Sequence, residues 1–338
     1  MSILFNINYQ RAYYFRHRGR ESTFDLYNGK GVLIFSSLDT NEEFILAEHL
    51  DSMNIPTATI PMPLAPENIR MSLGEKQQLI TYDKEVPFHR ISSVWFLCNM
   101  DRPMPADANQ VEHEFDLSEW RTTIWTLREE LRAIWVNDPF RSCISRLGAI
   151  GYARNLGLNT PRTLITNDPK VAKSFHDRMG PCVVKRVGHV FPSLPNGDIF
   201  GIFTRRLTDA DFDGDRFTLC PVLVQEEIPK KYEYRVYIIG NDVLPFRLYV
   251  GDVLDWREIG AFKVDKEYVN IASDIAHTLR TMVKSFGLLY AAIDLIEDLK
   301  GNLHFIEINP NGTYEFCDNI IKPTITERIC SILVSDFR

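Results

Sequence analysis

The segment 290–314 constrains the fold more than any other stretch, because two apolar runs there flank a polar break at 299–302. Glycine and asparagine adopt positive φ at low cost, so Gly301 and Asn302 predict the turn of a β-hairpin. Side chains alternate along a strand, so one face of the second strand is expected to carry Leu303, Phe305, Glu307 and Asn309. The other face is expected to carry His304, Ile306 and Ile308.

Acidic side chains in this hairpin form a candidate metal site. If the register brings Asp294 beside Glu307, the two carboxylates repel each other unless a cation or a proton lies between them. With the Asn309 amide they would offer hard oxygen ligands, which suit Mg²⁺ and the phosphates it carries. The alternative is an ordinary edge hairpin with hydrated acids. The apolar surroundings and the abrupt strand end at 309–312 favour the metal site.

Composition narrows the class of protein. The chain has 338 residues, a net charge of −7 and 45% hydrophobic residues, which is typical of a globular protein of two or three domains without a nucleic-acid surface. Its apolar runs are shorter than a membrane span needs, and the N-terminus lacks a signal-peptide pattern. We therefore expect a cytoplasmic location without nucleic-acid or membrane partners. The scattered cysteines are expected to be reduced thiols: Cys98, Cys143, Cys182, Cys220, Cys317 and Cys330.

Hydrophobic periodicity predicts an α/β domain over residues 31–137. Residues 31–37 and 57–61 are expected to be parallel strands joined by a helix over 41–54, and a further strand is followed by a helix over 117–135. There is no G-x-G-x-x-G motif, so a flavin- or nicotinamide-dependent enzyme is disfavoured. Residues 1–30 carry many arginines and aromatics, and are either an ordered extension or an interaction surface.

Residues 138–222 predict an α+β section that contains a mobile loop over 188–201. Its expected helices are 140–157 and one that starts at Asp168-Pro169, and its strands are 163–166, 182–187 and 200–206. Residues 223–338 predict an antiparallel sheet backed by helices over 266–286 and from 324.

Charged residues in these strands are further candidates. Lys185 lies in an apolar strand, and Glu226 ends another strand where a flat heterocycle could meet backbone groups. Arg235 and Arg247, on paired strands, are expected on one sheet face, where guanidinium groups would bind oxyanions. Taken alone, each of these residues is more consistent with a hydrated surface position, and only their order favours a binding site.

The order of these features resembles the ATP-grasp superfamily over residues 137–320. The resemblance is carried by NLGLNTPRTLITNDP, the lysine strand, VLVQEEIP, EYRVYIIG and AAIDLIED with HFIEINPNG. PKKYEYRVYIIG, LDWREI and FIEINPNGTYEF are most similar to the RimK-type branch, and there to the microviridin-type (graspetide) peptide maturases. The resemblance implies an ATP-grasp fold, an α/β (α+β) arrangement with an N-terminal α/β domain and two α+β subdomains, 138–222 and 223–338, that clasp ATP.

The same resemblance implies roles for individual residues. Arg235 and Arg247 would stabilise the γ-phosphate and the acyl phosphate, and Asp255 and Arg257 would lie near the acceptor. Two Mg²⁺ ions would be held by Asp294, Glu307 and Asn309. ATP would be bound by Arg146, Lys185, Gln225, Glu226, Glu227, Ile228 and Glu233.

The sequence departs from the family pattern in three places. Ser145-Arg146 stands where the family commonly has Asn-Lys, and a guanidinium fork is not equivalent to a compact ammonium. The loop 188–201 is poor in glycine, and residues 1–30 have no counterpart in the family.

The implied function is an ATP-dependent carboxylate–amine or carboxylate–alcohol ligase, which forms side-chain esters or amides in a ribosomal precursor peptide. One alternative is a RimK-type ligase that adds an amino acid to a protein tail or joins small molecules. Another is a nucleotide-binding protein without turnover, which the Ser145-Arg146 departure would favour. A homodimer is left open.

Overall fold

The structure is a computed structural model. It describes residues 3–5, 22–37, 41–62, 69–82, 84–97, 109–141, 143–188, 199–201, 203–212, 216–320 and 324–337. Most of the extension 1–30, most of the loop 188–201, and Cys98 lie outside these residues, so the predictions for them stay predictions.

The N-terminal section is built on a parallel sheet of order β3-β2-β7-β8, next to an antiparallel sheet β4-β5-β6. Its elements are β1 (Ile3–Phe5), β2 (Gly31–Ser37), α1 (Glu42–Ser52), β3 (Thr57–Met62), β4 (Ile69–Ser72), β5 (Gln78–Thr81), β6 (Lys84–Val86), β7 (Ile91–Phe96), α2 (Gln110–Glu130) and β8 (Ile134–Val136). The predicted strand–helix–strand unit is confirmed, because β2 and β3 are parallel and joined by α1.

The helix expected over 117–135 is wrong at both ends. It begins at Gln110, where the Asn109 side chain accepts a hydrogen bond from the Val111 N–H at 2.9 Å. It ends at Glu130, and Trp135 lies in β8, buried against Phe96. Sheet pairing with β7 therefore outweighs the helical periodicity there. The sheet β4-β5-β6 was not predicted.

The central section holds an antiparallel sheet of order β12-β10-β13-β9. Its elements are α3 (Arg146–Asn155), β9 (Thr163–Thr166), α4 (Pro169–Met179), β10 (Cys182–Lys185), β11 (Ile199–Gly201), β12 (Arg205–Arg206), α5 (Arg216–Leu219) and β13 (Val222–Glu226). The predicted start of α4 is confirmed, because the Asp168 carboxylate accepts the Lys170 N–H at 2.8 Å and Pro169 opens the helix.

Two predictions for this section need correction. The helix expected over 140–157 begins only at Arg146, because the Ser145 hydroxyl caps it by accepting the Gly148 N–H at 2.9 Å. The strand expected over 200–206 is divided: β11 pairs with β1, whereas β12 pairs with β10. The first residues of the chain, in β1, therefore pair with the end of the segment that was predicted as the loop 188–201.

The C-terminal section is an antiparallel sheet of order β16-β15-β14-β17-β18. Its elements are β14 (Lys230–Ile239), β15 (Asp242–Tyr249), β16 (Asp265–Tyr268), α6 (Ser273–Ser285), β17 (Tyr290–Asp298), β18 (Leu303–Asn309), α7 (Glu315–Asp318) and α8 (Ile325–Leu333). The predicted hairpins β14–β15 and β17–β18 are confirmed. The helix expected over 266–286 is wrong at its start, because residues 265–268 form the edge strand β16 and the helix begins at Ser273.

The two faces of this sheet have different partners. One face packs against α3 and α6, through residues such as Ile150, Met282 and Phe305. The other face meets the N-terminal parallel sheet, where Trp95 lies edge-on to Tyr290 with ring centroids 5.6 Å apart. The buried joint between the N-terminal and C-terminal sections fixes the sheet edge at which the acidic residues gather.

Candidate active site

A row of charged side chains crosses three strands of the C-terminal sheet. Arg235 on β14 is opposite Asp294 on β17, and Asp294 is opposite Glu307 on β18. Directly opposite residues share a face, so the three side chains lie side by side. The sequence left the register open, and the structure places Asp294 directly beside Glu307.

A β-bulge in β18 aims Glu307 into this row. The register changes between Asp294 opposite Glu307 and Leu295 opposite Phe305, which leaves Ile306 as the extra residue. The expectation that Phe305 shares a face with Glu307 is therefore wrong. Phe305 packs with Ile308 in the core under α3 and α6, while Glu307 stays on the face of Asp294.

Arg235 and Asp294 form a buried ion pair. One Arg235 nitrogen donates to both Asp294 oxygens, at 2.9 and 3.0 Å, and Arg235 is only 4% exposed. Burial raises the pKa of Asp294, against the opposing charge of Arg235, and Glu307 raises it further. Arg235 therefore holds the carboxylate in position and offsets its charge.

Positive charge converges on Glu307 from several segments. The Arg146 Nε lies 3.4 Å from a Glu307 oxygen, and Arg146 Nη1 donates to the Arg186 carbonyl at 2.7 Å. Burial by itself would raise the pKa of Glu307, but Arg146, Lys185 and the nearby arginines lower it below its ordinary value. Glu307 is therefore ionised, and the Ser145 cap that starts α3 positions its partner Arg146.

Lys185 lies on the face of β10 that points away from the core beneath α4, since its neighbour Val184 packs in that core. Its ammonium donates to the Gln225 side-chain oxygen at 2.9 Å, and Gln225 donates to the Thr163 hydroxyl at 3.0 Å. Burial lowers the pKa of Lys185, while the charge of Glu307 raises it. The central and C-terminal sheets thus place Lys185 and Glu307 close enough for their charges to interact, as an anion site between the sheets requires.

The strand end expected to meet adenine is tied to its neighbours. A Glu226 carboxylate oxygen accepts the Arg162 N–H at 3.0 Å, and the Glu227 N–H donates to the Pro181 carbonyl at 2.9 Å. The Glu227 carboxylate pairs with Arg206 at 2.8 Å, and Ile228 is half-buried. These bonds hold the connection between β13 and β14 in a defined path.

Glu233 joins the site through Lys230. The Lys230 ammonium donates to the Glu233 carboxylate and to the Val253 carbonyl, and it lies 3.4 Å from the Leu254 carbonyl. Burial raises the pKa of Glu233, against the opposing charge of Lys230. This contact links the start of β14 to the loop that carries Asp255.

Asp255 and Arg257 form a two-pronged ion pair with contacts of 2.7 and 2.6 Å. Asp255 also accepts the Thr204 N–H at 3.1 Å, so it joins the C-terminal section to the segment after β11. Asp255 is buried, whereas the Arg257 side chain is 39% exposed. The accessible member of the pair is therefore the arginine.

The expectation that Arg235 and Arg247 share a sheet face is wrong. Arg247 is opposite Tyr234, and Arg235 is opposite Phe246, so the two guanidinium groups point to opposite faces. The Arg247 guanidinium lies over the Tyr232 ring at 4.8 Å, its Nε donates to the Tyr234 hydroxyl at 3.1 Å, and its Nη1 is 3.8 Å from a Glu267 carboxylate oxygen. The geometric argument for Arg247 as a catalytic residue is thereby removed.

The oxygen donors fit Mg²⁺. Asp294 and Glu307 face each other, and Asn309 follows on the same strand, with its side-chain oxygen accepting the Asn311 N–H at 3.0 Å. In the part of the chain that the structure describes, no group of three His, Cys, Asp or Glu side chains could hold a metal ion. Mg²⁺ typically takes one or two carboxylates and completes its coordination with water and phosphate, so this donor set suits a metal that arrives with a nucleotide.

Comparison with solved structures identifies the architecture. The macrocyclase MdnC from Microcystis aeruginosa MRC, bound with the precursor peptide MdnA, matches with a TM-score of 0.78 and 24% identity, over 90% of this chain and 99% of that chain. An RiPP-associated ATP-grasp ligase from Chryseobacterium gregarium, in complex with ADP and a leader and core peptide, has a TM-score of 0.80 and 22% identity, over 90% and 97% of the two chains. The chain has the ATP-grasp fold. The predicted fold class is confirmed.

A further solved ATP-grasp structure contains the nucleotide and metal. The ligase PsnB, complexed with a phosphomimetic variant of a minimal precursor, Mg and ADP, matches with a TM-score of 0.71 and 21% identity, over 90% of this chain and 98% of that chain. No protein-family model matches the sequence. A search of curated proteins finds no relative. Within the described residues of this ATP-grasp chain, no helix is long and apolar enough to span a membrane.

Several residues of the site were missed from the sequence. Arg186 follows Lys185, and burial together with Arg146 and Arg257 lowers its pKa to about 10. Glu42, on α1, reaches residues 314 and 315 far along the chain. The only sequence signal for Arg186 is its place beside Lys185, and for Glu42 there is none, because its partners lie more than 270 positions away.

Proposed function

We propose that this chain is an ATP-dependent ligase that joins a carboxylate to an amine or an alcohol through an acyl phosphate. The observation that carries the proposal is the row Arg235–Asp294–Glu307, which faces Lys185 and Arg146 in an ATP-grasp fold. Buried carboxylates flanked by lysine and arginine suit a metal–nucleotide complex, because the carboxylates take the metal and the cations take the phosphates.

Nucleotide binding is assigned to residues of both the central and the C-terminal sections. Lys185 and Arg146 bind phosphate oxygens, supported by their approach to Glu307 and by the converging positive charge. The connection from Gln225 to Ile228 borders the adenine, and Glu233 lies on the ribose side. Asp294, Glu307 and Asn309 hold Mg²⁺, with two ions as the expected number. When bound, the metal neutralises charge on the transferred phosphoryl group.

The reaction proceeds in two balanced steps. A substrate carboxylate oxygen attacks the γ-phosphorus of ATP, which forms a carboxyl–phosphate bond and releases ADP. An amine or hydroxyl then attacks the acyl carbon, loses a proton, and expels inorganic phosphate. Arg235 is buried against Asp294, so its role is to fix that carboxylate, while Arg257, the exposed member of its pair, is suited to the acceptor or the acyl phosphate.

We further propose that the substrate is a ribosomally made precursor peptide, in which the enzyme forms ester or amide bonds between side chains. This is supported by the solved structures of similar architecture, because MdnC was crystallised with its precursor peptide and the Chryseobacterium ligase with a leader and core peptide. A cytoplasmic location is proposed on the cysteines: among the described residues, Cys143, Cys182, Cys220, Cys317 and Cys330 are all free thiols.

The decisive experiment first searches the neighbouring genes for a short Thr-, Glu- and Asp-rich peptide and then uses that peptide as the substrate. With ATP and Mg²⁺, we expect ADP to form and the peptide to lose one water for each new bond, as measured by mass spectrometry. If the peptide carboxylates carry heavy oxygen, one labelled atom should appear in the released phosphate. ADP release with an unchanged peptide mass would reject the crosslinking function.

Glu307→Gln is the matched inactive variant. It keeps the shape of the side chain but removes the charge that faces Arg146 and Asp294. We expect turnover to fall by more than about 100-fold, since even residues that only support metal ligands contribute about 10- to 100-fold. Glu267→Gln, which changes an exposed partner of Arg247, should retain turnover.

A further inference from the structure

The starts of helices α1 and α7 lie far apart in the sequence and are joined by hydrogen bonds in both directions. Each start donates at least one backbone N–H group to a glutamate carboxylate of the other. The Glu42 carboxylate, at the start of α1, accepts the N–H groups of Tyr314 and Glu315, the latter at 2.8 Å. In return, the Glu315 carboxylate accepts the Asn41 N–H at 3.3 Å and the Asn41 side-chain N–H at 2.8 Å. We call this arrangement the Glu42–Glu315 clamp.

The Glu42 half of the clamp is buried, whereas Glu315 and Asn41 are half-buried. Glu42 is 4% exposed and Tyr314 is fully buried, and the Tyr314 hydroxyl lies 3.4 Å from the Glu42 carbonyl. Water is excluded from Glu42, so its carboxyl oxygen obtains its hydrogen bonds from the protein. The N-terminal section therefore holds residues 314–315 through the Glu42 side chain, and water does not compete for these hydrogen bonds.

The clamp closes a loop that begins at the end of β18. The Tyr290 hydroxyl donates to the Gly312 carbonyl, and the Tyr237 hydroxyl donates to the Thr313 carbonyl at 2.6 Å. An Arg235 nitrogen lies 3.5 Å from the same Thr313 carbonyl. The loop from Asn309 to the clamp is therefore held by tyrosine hydroxyls and touches the arginine that binds Asp294.

There is no free space between this loop and the charged row. A Cβ added at Gly312 would lie 2.6 Å from an Arg235 nitrogen and 2.3 Å from the Ala292 Cβ. A displacement of the loop toward the sheet would therefore push on Arg235, and a displacement away would remove the Thr313 carbonyl from it. Either movement changes how Arg235 holds Asp294.

We propose that Glu42 is a positioning residue for the ligase reaction, because its grip on residues 314–315 fixes Thr313 against Arg235 and so sets the place of Asp294. This inference rests on the proposed function. It assigns to the N-terminal α/β domain a part in the metal site, although none of its residues belongs to the predicted ligand set. The path runs from Glu42 through the 313–315 backbone to Arg235 and then to Asp294.

The test measures ADP binding by calorimetry over a series of Mg²⁺ concentrations in the full chain. In Glu42→Ala, we expect the Mg²⁺ concentration for half-maximal ADP binding to rise by about 10- to 100-fold, as when partners of metal ligands are removed. ADP affinity without Mg²⁺ should stay unchanged. Amide exchange at Tyr314 and Glu315 should become faster, because both N–H groups lose their acceptor.

Three further variants separate positioning from a loss of stability. Glu42→Gln should restore most of the wild-type Mg²⁺ dependence, because its amide oxygen can accept the same N–H groups. Glu48→Ala changes an exposed glutamate of the same helix and should match the wild type. If Glu42→Ala does not fold, Glu42→Asp carries the test, since its shorter side chain cannot reach both N–H groups and should give an intermediate shift.

The outcomes are distinguishable. A wild-type chain whose ADP binding does not depend on Mg²⁺ would overturn the proposed function, and this inference with it. A Mg²⁺ dependence that is present in the wild type and unchanged in Glu42→Ala, or in Glu42→Asp where the alanine variant does not fold, would overturn the inference alone. A lower melting temperature without a shift in the Mg²⁺ dependence would also reject it, because a purely structural role predicts that result.

Discussion

At the scale of single residues, the site is defined by which charges are buried together. Arg235 is buried, Asp294 is half-buried, and the two pair at 2.9 Å, whereas Arg247 lies on the other face among tyrosine rings. Removing one partner of a buried ion pair leaves an uncompensated charge, which costs far more than removing an exposed partner. Two arginines that look equivalent in the sequence therefore have different consequences.

Arg235→Ala and Arg247→Ala test this difference. Arg235→Ala is expected to lower the free energy of unfolding by about 3–5 kcal/mol and to abolish ADP formation, because Asp294 is left buried without its partner. Arg247→Ala is expected to cost at most about 1 kcal/mol and to leave turnover in place. Urea unfolding and an ADP-release assay measure both effects. Equal loss of turnover in the two variants would contradict the face assignment.

Glu42 predicts a pH dependence of stability. Burial raises its pKa from 4.5 to about 7, with Glu315 raising it and Arg235 opposing. The native state then holds the proton more tightly than the unfolded chain does, so the contribution of Glu42 to stability falls as the pH rises from 4.5 to about 7. The full effect is on the order of 3 kcal/mol, at about 1.4 kcal/mol for each pKa unit.

Glu42→Gln removes this titration. The difference in unfolding free energy between Glu42→Gln and the wild type should therefore grow in favour of the variant from about pH 5 to about pH 8. Urea titrations at several pH values measure the difference. A constant difference across this range would show that Glu42 does not titrate between the two states.

At the scale of elements, the geometry of the candidate site depends on two irregular features near the end of β18. The bulge at Ile306 lets Phe305 enter the core while Glu307 remains in the charged row. The loop after β18 passes so close to β17 that only glycine fits at position 312. The bulge comes before Asn309 and the close approach at Gly312 comes after it. Together they position the polar end of β18 at the site.

Gly312→Ala and Gly151→Ala form a matched pair that tests this close approach. The added methyl group at Gly312 meets Ala292 and Arg235, so we expect a loss of about 1–3 kcal/mol from overpacking, together with weaker Mg²⁺-dependent ADP binding. At Gly151, inside α3, nothing lies within 4 Å, and alanine should stabilise by about 0.5–1 kcal/mol. Thermal unfolding compares them, and a neutral Gly312→Ala would refute the tight contact.

At the scale of the whole molecule, the N-terminal and C-terminal sections share one hydrophobic core. Trp95 of β7 lies 5.6 Å from the Tyr290 ring and 6.3 Å from the Tyr314 ring, and all three are fully buried. Neither section can cover these aromatic surfaces without the other. The domain boundaries at 137 and 222 stay a prediction, but the core already shows that the first and last sections are not independent in packing.

Trp95→Ala is expected to destabilise both sections together. Truncation of a buried tryptophan typically costs about 3–5 kcal/mol, and here the lost contacts belong to both sides of the joint. Unfolding followed by far-UV circular dichroism and by the fluorescence of the four remaining tryptophans should shift to the same lower urea midpoint. Separate transitions for the two probes would indicate that the sections unfold independently.

The sequence by itself determined the unit of β2, α1 and β3, the start of α4, the hairpins β14–β15 and β17–β18, and the residue types of the candidate site. These follow from local periodicity and turn chemistry, which act over a few neighbouring residues. Residues 290–309 formed the expected hairpin, and Asp294 met Glu307. The resemblance to ATP-grasp ligases also came from short motifs whose order survives at low sequence identity.

Only the tertiary structure decided where those local patterns stop and which face each charge occupies. Trp135 joined a strand because β7 was beside it, and the bulge at Ile306 reversed the face of Phe305. Arg247 was separated from Arg235 by a register of one residue, since a shift of one position moves a side chain to the other face of a sheet. The Glu42–Glu315 clamp joins residues 273 positions apart, a distance over which local propensity carries no information.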